Sequence, residues 1–402
     1  MPPHTGSEPP SPAPEQPAAQ FVGGALQRFL ASSASSGYVL LAALVVALCW
    51  ANSPWASAYE DLWSTPLVLP VGSTSIGTDL RFWIGDGLMT VFFLLVGMEI
   101  KREVRDGELR DPRAAALPAI ATLGGMVVPA LLYLAIVGGG PGARGWGIPM
   151  ATDIALALGA LALASRFVRP DVRPFLLTLA IADDIGAIVV VTVFYATGVT
   201  PIALLWASAI VAAIVLAERC HIHVSVVYVG LGVGLWYAFL RAGIEPAIAG
   251  VALGLLTPTE AIGRLERPLL LWSGFVIVPL FALANAGVDL SPSTLAGAGA
   301  TVAGAIVVAR LVGKPLGIWL AARLAVSSGI AKRAAPAGSG SILGVGVTAG
   351  IGFTVSLFIA DVAFADEPAL LDAAKVGIMV SAAVAGLASY LTFRFVSRRR
   401  GS

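Results

Sequence analysis

The run LAIADDIGAIVVVTVFYA, residues 179–196, decides how the chain is read. It approaches the ~20 apolar residues that a helix needs to cross a bilayer. It is apolar almost throughout, yet it holds two adjacent aspartates, Asp183 and Asp184. An ionised carboxylate in a low-dielectric medium is costly, so a purely structural helix would not place two there. The stretch therefore points to a membrane helix whose aspartates have work to do.

The rest of the chain agrees on the membrane. Of 402 residues, 57% are hydrophobic and 12% charged, and the mean hydropathy is +0.87. Soluble domains carry about 25% charged residues, so a soluble globular protein is excluded. The formal net charge of +1 says nothing by itself about partners, and no nucleic-acid partner is expected. Cys49 lies in an apolar run and Cys220 beside a basic loop, which gives neither a disulfide framework nor a CxxC metal site. His4, His221 and His223 lack zinc-type spacing. Residues 1–20 are rich in Pro and polar side chains and are expected to form a disordered cytoplasmic tail rather than a signal peptide. The run FVGGALQRFL that follows suggests a short interfacial helix.

Hydropathy marks about twelve spans: 37–51, 84–100, 115–136, 147–164, 174–196, 201–217, 224–240, 245–257, 269–287, 301–322, 339–363 and 376–395. Basic residues alternate between the connecting loops. Lys101, Arg102 and Arg105 follow the second span, Arg166, Arg169 and Arg173 the fourth, and Arg264 and Arg267 the eighth, with a basic tail over 397–402. The opposite loops hold only Arg81, Arg144, Arg241 and Lys375. The positive-inside rule then places both termini in the cytoplasm. On the external side, PLVLPVGSTSIGTD (66–79) reads either as a β-hairpin or as an irregular loop.

Two spans look interrupted. The fourth carries Gly145, Gly147 and Pro149 before Thr152 and Asp153, and the eleventh carries Gly344, Gly346, Gly350 and Gly352. Glycine weakens a helix by about 1 kcal/mol relative to alanine, although glycines in a membrane helix also allow close packing. The two spans occupy corresponding places in the two halves. Paired interruptions of this kind point to the site of an inverted-repeat transporter, with spans 3–5 and 10–12 as the repeats. The expected fold is thus an all-α polytopic membrane protein with two broken, crossing helices.

Among the charges inside the apolar segments, Asp153, Asp183, Asp184 and Lys314 stand out, with Arg310 a fifth. Neighbouring helical side chains point about 100° apart, so Asp183 and Asp184 are expected to differ in role. One can face a cation cavity and the other a partner helix, with Lys314 as the partner. Pro315 disturbs the lysine's helix and frees it to find carbonyls. Asp153 is either the cap of a half-helix or an ion ligand. Carboxylates and carbonyls suit hard cations. A desolvated carboxylate beside a second one holds its proton tightly. Cation and proton then compete for one site, and with alternating access that competition yields exchange.

Six segments in order resemble the NhaA family of bacterial sodium/proton antiporters: VFFLLVGMEIKREV (91–104), PMATDIALALG (149–159), LAIADDIGAI (179–188), LFALANAGV (280–288), GKPLGI (313–318) and GIGFTVSLFIA (350–360). The resemblance covers roughly residues 20 to 396 and treats 21–396 as one transmembrane domain. It implies an electrogenic, pH-activated exporter of Na⁺, and of Li⁺, against inward H⁺ in a bacterial inner membrane, with no cofactor. Asp184 and Asp183 match the cation and proton site, and Lys314 the lysine paired with Asp183. Thr152 and Asp153 match the helix crossing. Glu99, Arg102, Glu103 and Glu266 match pH-regulation positions. A homodimer joined partly through the 66–79 hairpin is implied as well.

The chain departs from the family near Glu266, where RLERPLLLW has no histidine, and at Arg310, which lies outside the motif. An intramembrane aspartyl protease would need two aspartates sharing a proton, but no GxGD precedes either candidate and Lys314 would disrupt the dyad. A sodium-coupled symporter of a small organic solute is the nearer alternative, and it would require a roomier or more polar pocket.

Overall fold

In hydrocarbon every backbone polar group must be paired internally, which makes helix the default for long apolar segments. In the computed structural model, which describes residues 18–71, 74–196, 198–220, 222, 224–291, 294–331 and 339–398, each of the twelve expected segments falls on helix. In chain order these are α1 (Ala18–Ala51), α2 (Ala56–Trp63), α3 (Leu80–Asp106), α4 (Pro112–Val137), a 3-10 stretch (Pro141–Met150), α5 (Ile154–Leu163), α6 (Val172–Phe194) and α7 (Pro201–Arg219). They continue with α8 (Ser225–Ala242), α9 (Ile248–Leu256), α10 (Ala261–Asn285), α11 (Ala298–Ser327), α12 (Ser339–Ala349), α13 (Thr354–Ala363) and α14 (Pro368–Arg398). Among the described residues, seven helices are long and apolar enough to cross a membrane, and up to ten if each bent pair counts as one span. The segments at 224–240 and 245–257 fall on the shorter α8 and α9. Apolar side chains such as Leu131 and Ile202 stay exposed along the long helices, as a lipid-facing surface requires. The chain is a multi-pass membrane protein.

Two local expectations change. Residues 21–30 are not a separate helix; they form the first part of the continuous α1. Helix already begins at Ala18, and residues 1–17 lie outside the described residues, as do residues 399–402, Gly72 and Ser73.

The 66–79 segment is a hairpin. Strands β1 (Leu69–Val71) and β2 (Thr74–Ile76) pair antiparallel, with Leu69 opposite Ile76 and Val71 opposite Thr74. Asp79 then caps α3 by accepting from Phe82 N at 2.8 Å. Trp83 Nε1 donates to Leu67 O at 2.7 Å, and the Trp83 ring stacks on Trp236 of α8. These contacts fix the hairpin to the helices.

Both interrupted spans are broken. The 3-10 stretch and α5 meet at a bend of 50°, and α12 and α13 at a bend of 52°. The breaks touch, because Asp153 N donates to Ile351 O at 2.8 Å. The 3-10 form is unusually long for that geometry, and it is held from outside. Tyr133 Oη donates to Gly142 O at 2.7 Å, and Tyr195 Oη donates to Arg144 O at 2.6 Å. Helix α11 contains a π-turn at Ala309–Gly313, two residues before Pro315, whose missing N–H leaves one carbonyl without its usual donor.

Helix α4 packs along α11. Gly124 and Gly317 meet there so closely that a Cβ on either would strike the carbonyl oxygen of the other. This is the small-residue contact that lets membrane helices approach. Gly317→Val is therefore expected to lower the melting temperature, with an overpacking cost of about 1–3 kcal/mol. Thermal unfolding in detergent checks this, and an unchanged transition would show that the two helices part freely.

Candidate ion-binding site

The two breaks supply four helix ends at one place, and the charged side chains sort themselves among those ends. Asp153 stands at the N-cap of α5 with its side chain accepting from Leu156 N at 3.0 Å. Its other oxygen accepts from Thr354 N at 3.2 Å and from Thr354 Oγ1 at 2.6 Å. One carboxylate thus caps both half-helices that begin at the crossing, where each N-terminus carries about half a positive charge. The sequence left cap and ligand open for Asp153; the geometry makes it a double cap that also lines the adjacent cavity.

The carbonyl ends face cations. Lys314 and Arg310, both 0% exposed, lie one turn apart on α11. Lys314 Nζ donates to Met150 O and, at 2.6 Å, to Asp183 Oδ2. Arg310 reaches Ile148 O at 3.0 Å, Gly352 O and Ser356 Oγ. Thr152 Oγ1 lies 2.6 Å from Asp183 Oδ2 and 3.0 Å from Ala349 O, and its single proton serves one of them at a time.

The adjacent aspartates differ as their 100° offset demands. Asp183 is engaged by Lys314 and Thr152 through one oxygen. The Asp184 side chain makes no hydrogen bond among the described residues, and its Oδ1 is buried without a partner. Asp184 faces a cavity of about 110 Å³ lined also by Asp153, Thr152, Thr354 and Glu99. Organic-ligand pockets usually enclose about 300–1,000 Å³. The cavity suits a small ion, which disfavours an organic-solute symporter. Asp153 is committed to two helix ends, so it cannot share a proton with Asp184 as a protease dyad would.

The four positions that the resemblance matched to pH regulation lie on α3 and α10. Glu99 belongs to the cavity, on the same face of α3 as Phe92, Leu95 and Val96. Arg102 forms an ion pair with Glu266 of α10. Nearby, Lys101 Nζ donates to Thr257 O at 2.7 Å and lies 3.6 Å from Glu218, and Arg105 bonds Thr259 Oγ1 at 2.6 Å. Together these tether the Asp106 end of α3. Glu103 lies beside Gly107 at that same end.

Sequence reasoning missed Thr354, which had the signal of an N-cap residue type two residues after a glycine cluster. It also missed the two tyrosines that hold the 3-10 stretch, for which no local signal exists.

Residues 27–393 match the family model described as Na+/H+ antiporter 1. The chain is 45% identical to the Na(+)/H(+) antiporter NhaA of Acidovorax sp., over 93% of this chain and 94% of that one. It is 44% identical to the Na(+)/H(+) antiporter NhaA of Cronobacter sakazakii, over 92% and 97%. It is 41% identical to the Na(+)/H(+) antiporter NhaA 2 of Sorangium cellulosum, over 94% and 92%. Against the structure of the sodium proton antiporter MjNhaP1 from Methanocaldococcus jannaschii at pH 8, it aligns over 95% of its length and 97% of that chain, with 15% identity and a TM-score of 0.49.

Proposed function

Because the chain belongs to the Na+/H+ antiporter 1 family, we propose that it exchanges sodium or lithium for protons across a bacterial inner membrane by alternating access. The observation that carries this reading is Asp184, a buried carboxylate without a donor on the wall of a small cavity. Such a group takes either a proton or a cation. Asp183 shares the site through its contact with Lys314. Thr152 and Asp153 hold the crossing beside it. Carboxylate and hydroxyl oxygens favour a hard cation.

Each step follows from competition. In one orientation sodium displaces protons from the aspartates, and in the other protons displace sodium. Exchange is electrogenic when more than one proton returns per sodium, with the Asp183–Lys314 pair as the second carrier. Protons win at acidic pH, so exchange rises with pH. Arg102 and Glu266 tune that rise where they tie α3 to α10. Being partly solvent-exposed, the pair contributes only about 0–1 kcal/mol to stability. Glu266→Gln is expected to move the pH midpoint of exchange while leaving the melting temperature nearly unchanged; an unmoved midpoint removes the regulatory role. Both termini lie in the cytoplasm by the positive-inside asymmetry. The hairpin joins two copies, for which its exposed Leu67, Val68 and Leu69 provide apolar contact. A monomeric mass in mild detergent would rule that out.

The deciding experiment is pH-dye dequenching in proteoliposomes with an imposed proton gradient, adding NaCl, LiCl or KCl across acidic to alkaline pH. Dequenching by Na⁺ and Li⁺ but not K⁺, growing with pH, is expected. No response from demonstrably incorporated protein would refute exchange.

A further inference from the structure

Arg310 is the largest fully buried side chain among the described residues, and exchange as proposed above gives it no part. It sits in the π-turn Ala309–Gly313 of α11, one turn from Lys314. No carboxylate lies within ion-pair distance of it among the described residues; the charged groups nearest in influence are Asp183 of α6, Asp153 at the first break, and Lys314 on its own helix. Its partners are instead the two broken helices. Nη2 donates to Ile148 O at 3.0 Å, in the last turn of the 3-10 stretch, and to Ser356 Oγ, in the first turn of α13. Nη1 donates to Gly352 O, inside the second break.

Ile148 O lies in the last turn of the 3-10 stretch, where carbonyls lack helical donors and carry partial negative charge, and Gly352 O is a carbonyl of the non-helical break itself. Lys314 meets the same need at Met150 O, but its ammonium is also committed to Asp183. A lysine offers one compact charge, whereas a guanidinium presents a planar fork that can hold acceptors on two elements at fixed spacing.

We propose that Arg310 is a positioning residue that clamps the two breaks to one another and so sets the ion selectivity of the site. The clamp acts through the backbone. Ile148 lies four residues before Thr152, and Gly352 two residues before Thr354. Thr152, Asp153 and Thr354 line the cavity at Asp184. Holding Ile148 O and Gly352 O on one fork fixes how far apart these oxygen ligands stand. Selectivity between hard cations of different radius depends on cavity size and ligand rigidity. A loosened crossing therefore changes sodium and lithium binding unequally.

This assignment rests on the antiport reading, and the two fail in different places. Wild type, Arg310→Lys, Arg310→Gln and Ser356→Ala are reconstituted, and the apparent KM and maximal rate are measured separately for Na⁺ and Li⁺. Sodium- and lithium-dependent thermal stabilisation in detergent reports binding without transport. Arg310→Lys keeps the charge and loses the fork. It is expected to raise the apparent KM about tenfold, equivalent to ~1.4 kcal/mol, and to change the Na⁺/Li⁺ ratio of KM values about threefold. Ser356→Ala removes one acceptor and is expected to move the ratio in the same direction by less. Arg310→Gln is expected to show the largest change, and if it fails to fold the other two variants decide. Variants that lower only the maximal rate or the melting temperature, with both KM values unmoved, would overturn the clamp and leave Arg310 as packing. Full activity in Arg310→Lys would overturn it too, because a single charge would then suffice. A wild type that neither exchanges nor is stabilised by either ion refutes the antiport reading and takes this assignment with it.

Discussion

Asp184→Asn is expected to reduce sodium- and lithium-dependent proton exchange to the level of protein-free vesicles at every pH. The amide is nearly isosteric, so packing around it barely changes. What disappears is the ability to carry a proton and to balance a cation. The Asp184 side chain accepts no hydrogen bond among the described residues, so no existing contact is lost, and the folded state is expected to melt at the wild-type temperature or above it. Relief of a buried, uncompensated carboxylate works in that direction. Dye dequenching with purified, reconstituted mutant, alongside a melting curve, separates the two effects. Exchange that persists would move the site away from Asp184.

The second large effect concerns the pair beside it. Lys314→Met leaves Asp183 buried with Thr152 as its remaining side-chain donor. Breaking a buried ion pair from one side costs about 3–5 kcal/mol, because the remaining charge is uncompensated. Asp183→Asn strands Lys314 in the same way, although Met150 O still accepts from it. Each single variant is therefore expected to melt well below wild type. The double variant Asp183→Asn/Lys314→Met is expected to recover part of the loss, with a coupling energy of roughly 0.5–3 kcal/mol. Additive losses in the double variant would mean that the 2.6 Å contact contributes nothing to folding. Exchange is expected to fall in all three, since the second proton carrier is gone.

Asp183 and Asp184 thus carry opposite expectations for stability although they are neighbours in the chain. One is paired and the other is not. Removing the paired carboxylate creates a buried orphan, and removing the unpaired one relieves a cost. The comparison between Asp183→Asn and Asp184→Asn is informative in itself, because a general effect of losing charge near the crossing would move both melting temperatures the same way.

Much of this could be read from the chain alone. The helical class follows from apolar segments that must satisfy their own hydrogen bonds in lipid, a requirement met locally. The two breaks were visible because Gly145, Gly147, Pro149 and the glycines of the eleventh span weaken helix where they stand. The aspartates stood out because carboxylates are expensive in apolar runs. The sequence of 66–79 fits a hairpin and an irregular loop equally, since two three-residue strands carry little signal of their own.

Only the tertiary structure decided who meets whom. Lys314 lies 131 residues from Asp183, and Asp153 lies 201 residues from the second helix end that it caps. Arg310 was conspicuous in the sequence and had no assignable partner, because its partners are backbone carbonyls, which every residue possesses and no motif marks. The 3-10 form of Pro141–Met150 was equally hidden, since tyrosines from two other helices hold it. Local chemistry determines where a helix forms, where it breaks and which side chains are costly to bury. Long-range packing determines how those costs are met, and therefore that Asp184 is left for the ion.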